Sequence, residues 1–310
     1  MLRPFKHMLA RCLTGVLLGL GLAGSLQAPV QAQDSKSDRL NTLIKRAVSD
    51  RIVIAGRQRM LAEGMAAKLC FKVSGIQDAA AQRDLYTMWN IFGWYHAGLR
   101  HGNPQLQLNA ERNLIVLDAW RQMDQIWGGL NGVYEGVLST GQADPETLAI
   151  AVDLTDIVTD GSTMIVAALR SAYADQLGPQ GFGSALLIDL YERQRMLGQK
   201  IAKDICLLSR DQNARSVDDL NQTLKIFTVS MQAFQTGLAD VGVPPPPTPE
   251  IAAKLAKASE DWQVAGTRAL AAINGNPLTQ EELAEFARSV DLFISDMTGI
   301  INALVEFQSG

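Results

Sequence analysis

The chain has 310 residues, 47% of them hydrophobic, with 28 basic and 32 acidic side chains and a net charge of −4. This balance argues against nucleic acid or an anionic membrane as the main partner. The length suits two domains with real cores.

The N-terminus carries Arg3, Lys6 and Arg11, then an apolar run from Leu13 to Gly24, then Val30-Gln31-Ala32 before Gln33. A basic start, a short apolar middle and small residues at the end describe a secretory signal peptide over 1–32 and a periplasmic mature protein. The run is short and glycine-rich for a membrane span, so a retained anchor is the alternative. Without residues 1–32 the chain keeps 25 basic and 32 acidic residues, a charge of −7. No later stretch is long and apolar enough to cross a bilayer. Two cysteines remain, Cys70 and Cys206. In an exported protein they are a candidate disulfide, or each is a small apolar core residue.

Apolar spacing predicts eight helices and almost no strand. They fall at 36–77, 81–100, 105–139 and 144–177, then at 183–210, 215–241, 249–273 and 279–308. Aromatic residues Tyr86, Trp89, Phe92, Trp94 and Tyr95 occupy more than one face of the second helix, which suits burial between two bundles or, as the alternative, a partner-binding surface. Asp144-Pro145-Glu146 is an N-cap with proline in the first turn. Thr279-Gln-Glu-Glu282 is a capping box in the same role. Proline at 104 and at 244–249 breaks the chain before each third helix. Asp160 and Asp296 lie 136 residues apart, as do the motifs below, so the period runs end to end. The expected fold is all-α: two tandem four-helix up-down bundles, 33–177 and 183–310, joined by a linker at 178–182.

One stretch occurs twice. Ile52-Val-Ile-Ala-Gly-Arg-Gln-Arg-Met-Leu61 continues to Cys70, and Ile188-Asp-Leu-Tyr-Glu-Arg-Gln-Arg-Met-Leu197 continues to Cys206. Ile54, Leu61, Met65, Leu69 and Ile76 form a core stripe. A second face carries Ile52, Arg59, Ala66 and Cys70, and its counterpart Ile188, Arg195, Ala202 and Cys206 is identical. Packing the two copies about a pseudo-twofold axis brings Arg59 near Arg195. Two buried guanidiniums need an anion between them, or else they pair with helix carboxylates such as Asp160 and Asp296 or snorkel to solvent. Arg57 and Arg193 flank the same site and join it as candidate ligand-binding residues.

Other chemistry is sparse. The spacing Asp153, Asp156, Asp160 reads as a solvated or helix-pairing stripe. His96 and His101 lack further ligands, so neither metal nor cofactor is expected. No nucleophile–base pattern or phosphate loop is visible, so an enzyme is not expected.

Ala55-Gly56-Arg57-Gln58-Arg59-Met60-Leu61 resembles the box on the first helix of the N-terminal sensor domain of type IV pili methyl-accepting chemotaxis transducers, the PilJ-type domain. The periplasmic domain of nitrate/nitrite sensor kinases has a related box. The second copy matches only over Arg193-Gln194-Arg195-Met196-Leu197, with Tyr191-Glu192 in place of Ala-Gly. Gly64 and Lys200 stand where members often have a further basic residue. The resemblance implies that Arg59 and Arg195 correspond to the arginines that hold the anion between two subunits in the nitrate sensors. The expectation is therefore a soluble periplasmic ligand-sensing or binding protein for a small oxyanion such as nitrate or nitrite, signalling through a separate partner. The alternative is a non-catalytic interaction module of an envelope or type IV pilus-linked chemosensory system.

Overall fold

The computed structural model describes residues 28–76, 78–211 and 216–309. The leader expected over 1–32 falls almost wholly outside them. The described residues form eight α-helices: α1 (Ala28–Val73), α2 (Asp78–His101), α3 (Leu114–Thr140), α4 (Pro145–Ala172), α5 (Ala174–Arg210), α6 (Val217–Thr236), α7 (Pro249–Ile273) and α8 (Gln280–Ser309). Among them no strand forms and no helix is long and apolar enough to span a membrane.

Local chemistry sets the helix ends. The Asp144 carboxylate accepts from the Thr147 amide at 2.7 Å and starts α4. Thr279 and Glu282 exchange bonds, Thr279 N to Glu282 Oε2 at 3.0 Å and Glu282 N to Thr279 Oγ1 at 3.3 Å, a capping box before α8. The third helix starts at 114 rather than 105, because 102–108 close into a compact turn. Its glycine, Gly102, has a positive φ, Asn103 caps a single 3₁₀ turn, and Asn103 bridges to Leu108. The same turn recurs at Leu238–Val243 and ends α6 at 236. The expected linker at 178–182 is instead a kink inside α5, where Gly178 leaves the helical region at φ 65°.

Helices α3 and α4 pack as one hairpin and α7 and α8 as another. The aromatic layers match: the Phe92 ring tilts against Trp127 with centroids 4.0 Å apart, and Phe227 against Trp262 at 4.1 Å. Each such pair adds about 0.5–1.5 kcal/mol beyond its buried area. Helices α1 and α5 hold the centre. Polar contacts reach α1 from α2 (Gln58 to His96), α4 (Thr159 to Glu63), α5 (Arg59 to Asp189) and α8 (Lys68 to Asp291). With neighbours on every side, nearly every α1 residue from 51 to 71 is buried, including Gln58, Glu63 and Lys68. This stretch of α1 therefore has no solvated face.

The α2 aromatics were expected between the bundles. Instead α2 lies outside: Phe92 and His96 are buried, while Tyr86 and Trp94 remain 56% and 39% exposed. The apolar core is one cluster that includes residues of all eight helices.

Candidate functional site

Helices α1 and α5 run parallel with a 136-residue offset, so the two copies of the repeated stretch meet. Cys70 and Cys206 are joined by a disulfide with 0% exposure at both residues. One turn beyond, the Arg210 guanidinium donates to the Val73 carbonyl at 3.0 Å and to Ser74 Oγ at 3.2 Å. That clamps the end of α1.

At the other end of the contact lie the arginines, and each has a carboxylate of its own. Arg59 Nη2 donates to Asp189 Oδ1 at 2.5 Å, and Arg170 of α4 reaches the other Asp189 oxygen at 3.3 Å. Arg195 Nη1 donates to Glu192 Oε2 at 2.8 Å, while Arg57 Nε lies 3.5 Å from Glu192 Oε1. Arg59, Arg195 and Glu192 are 2%, 4% and 0% exposed, so these charges are held out of water. Removing one partner from such a set leaves a buried charge uncompensated.

The partners differ from those expected. Asp160 is exposed on α4, and Asp296 pairs with Lys257 at 3.0 Å. Burial along α4 and α8 repeats at an offset of 135, which matches Asp160 with Ser295, not Asp296. The carboxylates come from α5 itself. Asp189 stands where α1 has Val53, and Glu192 where it has Gly56. The replacement at 192 was visible in the sequence as the departure from Ala-Gly; nothing local marked Asp189. Arg193 is exposed.

Four guanidiniums thus share two carboxylates. The Nε groups of Arg59 and Arg195 find no acceptor among the protein atoms. Arg57 opens this cluster outward: Nη1 donates to Tyr95 Oη at 3.3 Å and Nη2 to Asn302 Oδ1 at 3.2 Å. Burial works against its charge, but Glu192 and then Tyr95 outweigh it and hold the Arg57 pKa above its ordinary value. Arg57 lines a cleft of about 500 Å³ together with Arg46, Asp50, Tyr95, Asn302 and Glu306. Burial pushes the Asp50 carboxyl up, against the pull of Arg46 and Arg57.

Farther along, the halves hold each other by reciprocal ion pairs. Lys203 of α5 is fully buried between Glu63 of α1, at 2.9 Å, and Asp156 of α4. Lys68 of α1 pairs with Asp291 of α8 at 2.7 Å and with Asp84 at 3.1 Å. Asp156 and Asp291 are equivalent at the 135-residue offset. This use of Asp156 agrees with the helix-pairing reading of the acidic stripe. His96 is held between Gln58 Nε2 at 3.5 Å and Asp124 at 2.8 Å, with Trp120 stacked at 4.5 Å. Burial lowers its pKa despite Asp124. Among the described residues no group of three or more His, Cys, Asp or Glu is placed to hold a metal.

The described residues thus define an all-helical protein whose two repeated helices carry buried arginines. Residues 183–289, from α5 into α8, match the PilJ family, described as "Type IV pili methyl-accepting chemotaxis transducer N-term". That stretch of the second half is thus similar to the N-terminal domain of those transducers. The curated proteins yield no match to the chain.

Proposed function

We propose that this protein is a periplasmic sensing or binding module built from two tandem PilJ-type four-helix bundles, with α1 and α5 as their shared contact. Its ligand is a small oxyanion, nitrate or nitrite being the type, and it hands its signal to a separate membrane or pilus-associated partner. The observation that supports this reading is the convergence of arginines at the α1/α5 contact. Four arginines share Asp189 and Glu192, and one of them, Arg57, faces an open cleft. An oxyanion entering there meets Arg57 and Arg46 first, and Arg59 and Arg195 only if Asp189 or Glu192 yields. Binding therefore couples to how the two central helices pack.

A thermal-shift titration against nitrate, nitrite and other small oxyanions tests this, beside Arg57→Ala, Arg59→Ala and Arg195→Ala. Ligand at 100 times its Kd stabilises a protein by about 2.7 kcal/mol. A shift for one oxyanion that Arg57→Ala removes supports the site; no shift for any of them rejects it. The second reading is a purely protein-binding module, favoured by the exposure of Tyr86 and Trp94 on α2. Recovery of a specific envelope partner that Trp94→Ala releases, with no oxyanion effect, selects it.

A further inference from the structure

We propose that the outer face of the α3–α4 hairpin is a docking groove for a basic amphipathic helix of a partner protein, separate from the arginine cleft. The first observation is a cost without an internal reason. Gly128, Gly132 and Gly136 recur every four residues on α3, and a Cβ at any of them meets nothing within 4 Å. Each exposed helix glycine costs about 0.8–1 kcal/mol relative to alanine, and no contact within this chain requires it. On α4, Ile150, Ile157 and Met164 recur every seven residues and are 46%, 47% and 44% exposed, Ile150 sharing one groove with Gly132 and Gly136. Gly132, Val133, Gly136 and Ile150, with the polar Thr140, Gln142, Asp144 and Thr147 at its end, line a groove of about 500 Å³.

The second observation is the equivalent surface of the other half. At the 135-residue offset, Val133, Thr147 and Ile150 correspond to Arg268, Glu282 and Glu285. There Arg268 pairs with Glu282 at 2.6 Å and Glu285 at 2.9 Å. Gln263, Thr267 and Ala271 stand in place of the three glycines. One fold position is thus an ion-pair cluster in one half, and in the other a groove where Val133 and Ile150 replace the paired charges. Glycines on a helix face permit close backbone approach, and a sevenfold apolar repeat suits a packed helix.

Charge decides the occupant. The hairpin 114–172 has eight acids against two arginines, and the exposed Glu135, Asp144, Glu146 and Asp153 flank the groove. A second copy presenting the same face would set acid against acid. A helix with an apolar ridge between lysines or arginines complements it.

The test titrates the purified full chain into a labelled synthetic helix of about twenty residues, long enough to span several turns, with a Leu/Ala face and a Lys face. The same peptide with Glu for Lys is the control. The paired change Val133→Arg with Ile150→Glu installs the other half's ion pair without altering net charge, so a loss of binding reports the groove rather than the field. Saturable anisotropy is expected for the Lys peptide. The paired variant should weaken it at least about tenfold, a loss of 1.4 kcal/mol, and Leu292→Glu on the other half should leave it unchanged. Should the paired variant not fold, the surface change Ile150→Gln gives the same comparison. No binding, equal binding of both peptides, or equal loss with Leu292→Glu overturns the proposal. So does a dimer in sedimentation that Ile150→Gln disperses, or binding to phosphatidylglycerol vesicles that it abolishes.

Discussion

Gly56 of α1 lies directly under Glu192 of α5: a Cβ at 56 would sit 2.9 Å from the Glu192 Cβ and 3.1 Å from its Cγ. These are the same position in the two copies, 136 residues apart. One copy has given up its side chain and the other has filled the space with a carboxylate that reaches Arg57 and Arg195. The asymmetry replaces a symmetric arginine pair with an internally neutralised one.

Gly56→Ala should therefore destabilise the chain by about 1–3 kcal/mol, the usual penalty for forcing an extra carbon into a packed contact. Urea unfolding measures it. In a Glu192→Gly background the same change should cost much less, because the crowded Cβ and Cγ are both gone; equal costs in both backgrounds would show that the contact is loose.

Glu192→Gln keeps the shape and removes the charge. Arg195 and Arg57 are left short of a counter-ion in a dry site, at a cost of about 3–5 kcal/mol. Added nitrate or chloride should restore part of this loss in the variant. Melting temperatures that respond to salt identically in wild type and variant would contradict it.

Lys203→Met strands Glu63, which is 1% exposed. It should cost several kcal/mol, as breaking a buried pair does. Lys203→Met combined with Glu63→Gln should recover most of the loss, read as a coupling in a double-mutant cycle.

The Cys70–Cys206 bond closes a loop with a sequence separation of 136. Its removal by Cys70→Ser with Cys206→Ser should lower stability by about 2–5 kcal/mol. Both sulfurs are buried, so thiol reagents should reach them only on unfolding. Rapid reduction of the folded protein would show that the α1/α5 contact opens.

His96 gives the protein a pH dependence of known sign. Its folded pKa is below the ordinary 6.5 because of burial, so the unfolded chain binds the proton more readily. Stability is complete above pH 6.5 and falls as pH drops through the window beneath it. His96→Gln should flatten the melting-temperature profile between about pH 7.5 and 5.5. A profile as steep as that of wild type would assign the slope to other groups.

Much of this architecture is local and so was legible in the chain. Helical periodicity, the Asp144 and Thr279 caps and the repeated Arg-Gln-Arg-Met-Leu stretch depend on neighbours within a few residues. They carried the all-helical class and the pairing of position 70 with 206 at equal places in two copies. Helix ends near 105 and 241 were missed because the turns there are closed by bridges between residues five apart, with a glycine at positive φ in each.

What the tertiary structure decided is which charges meet. Arg59 finds Asp189 and Lys203 finds Glu63 across 130 and 140 residues. Such partners are chosen by helix packing and by the exclusion of water, neither of which leaves a periodic trace in the chain. The central place of α1 and α5 belongs to the same category. A helix carrying Gln58, Glu63 and Lys68 reads as half-solvated until neighbours from four other helices supply the opposite charges and remove the solvent.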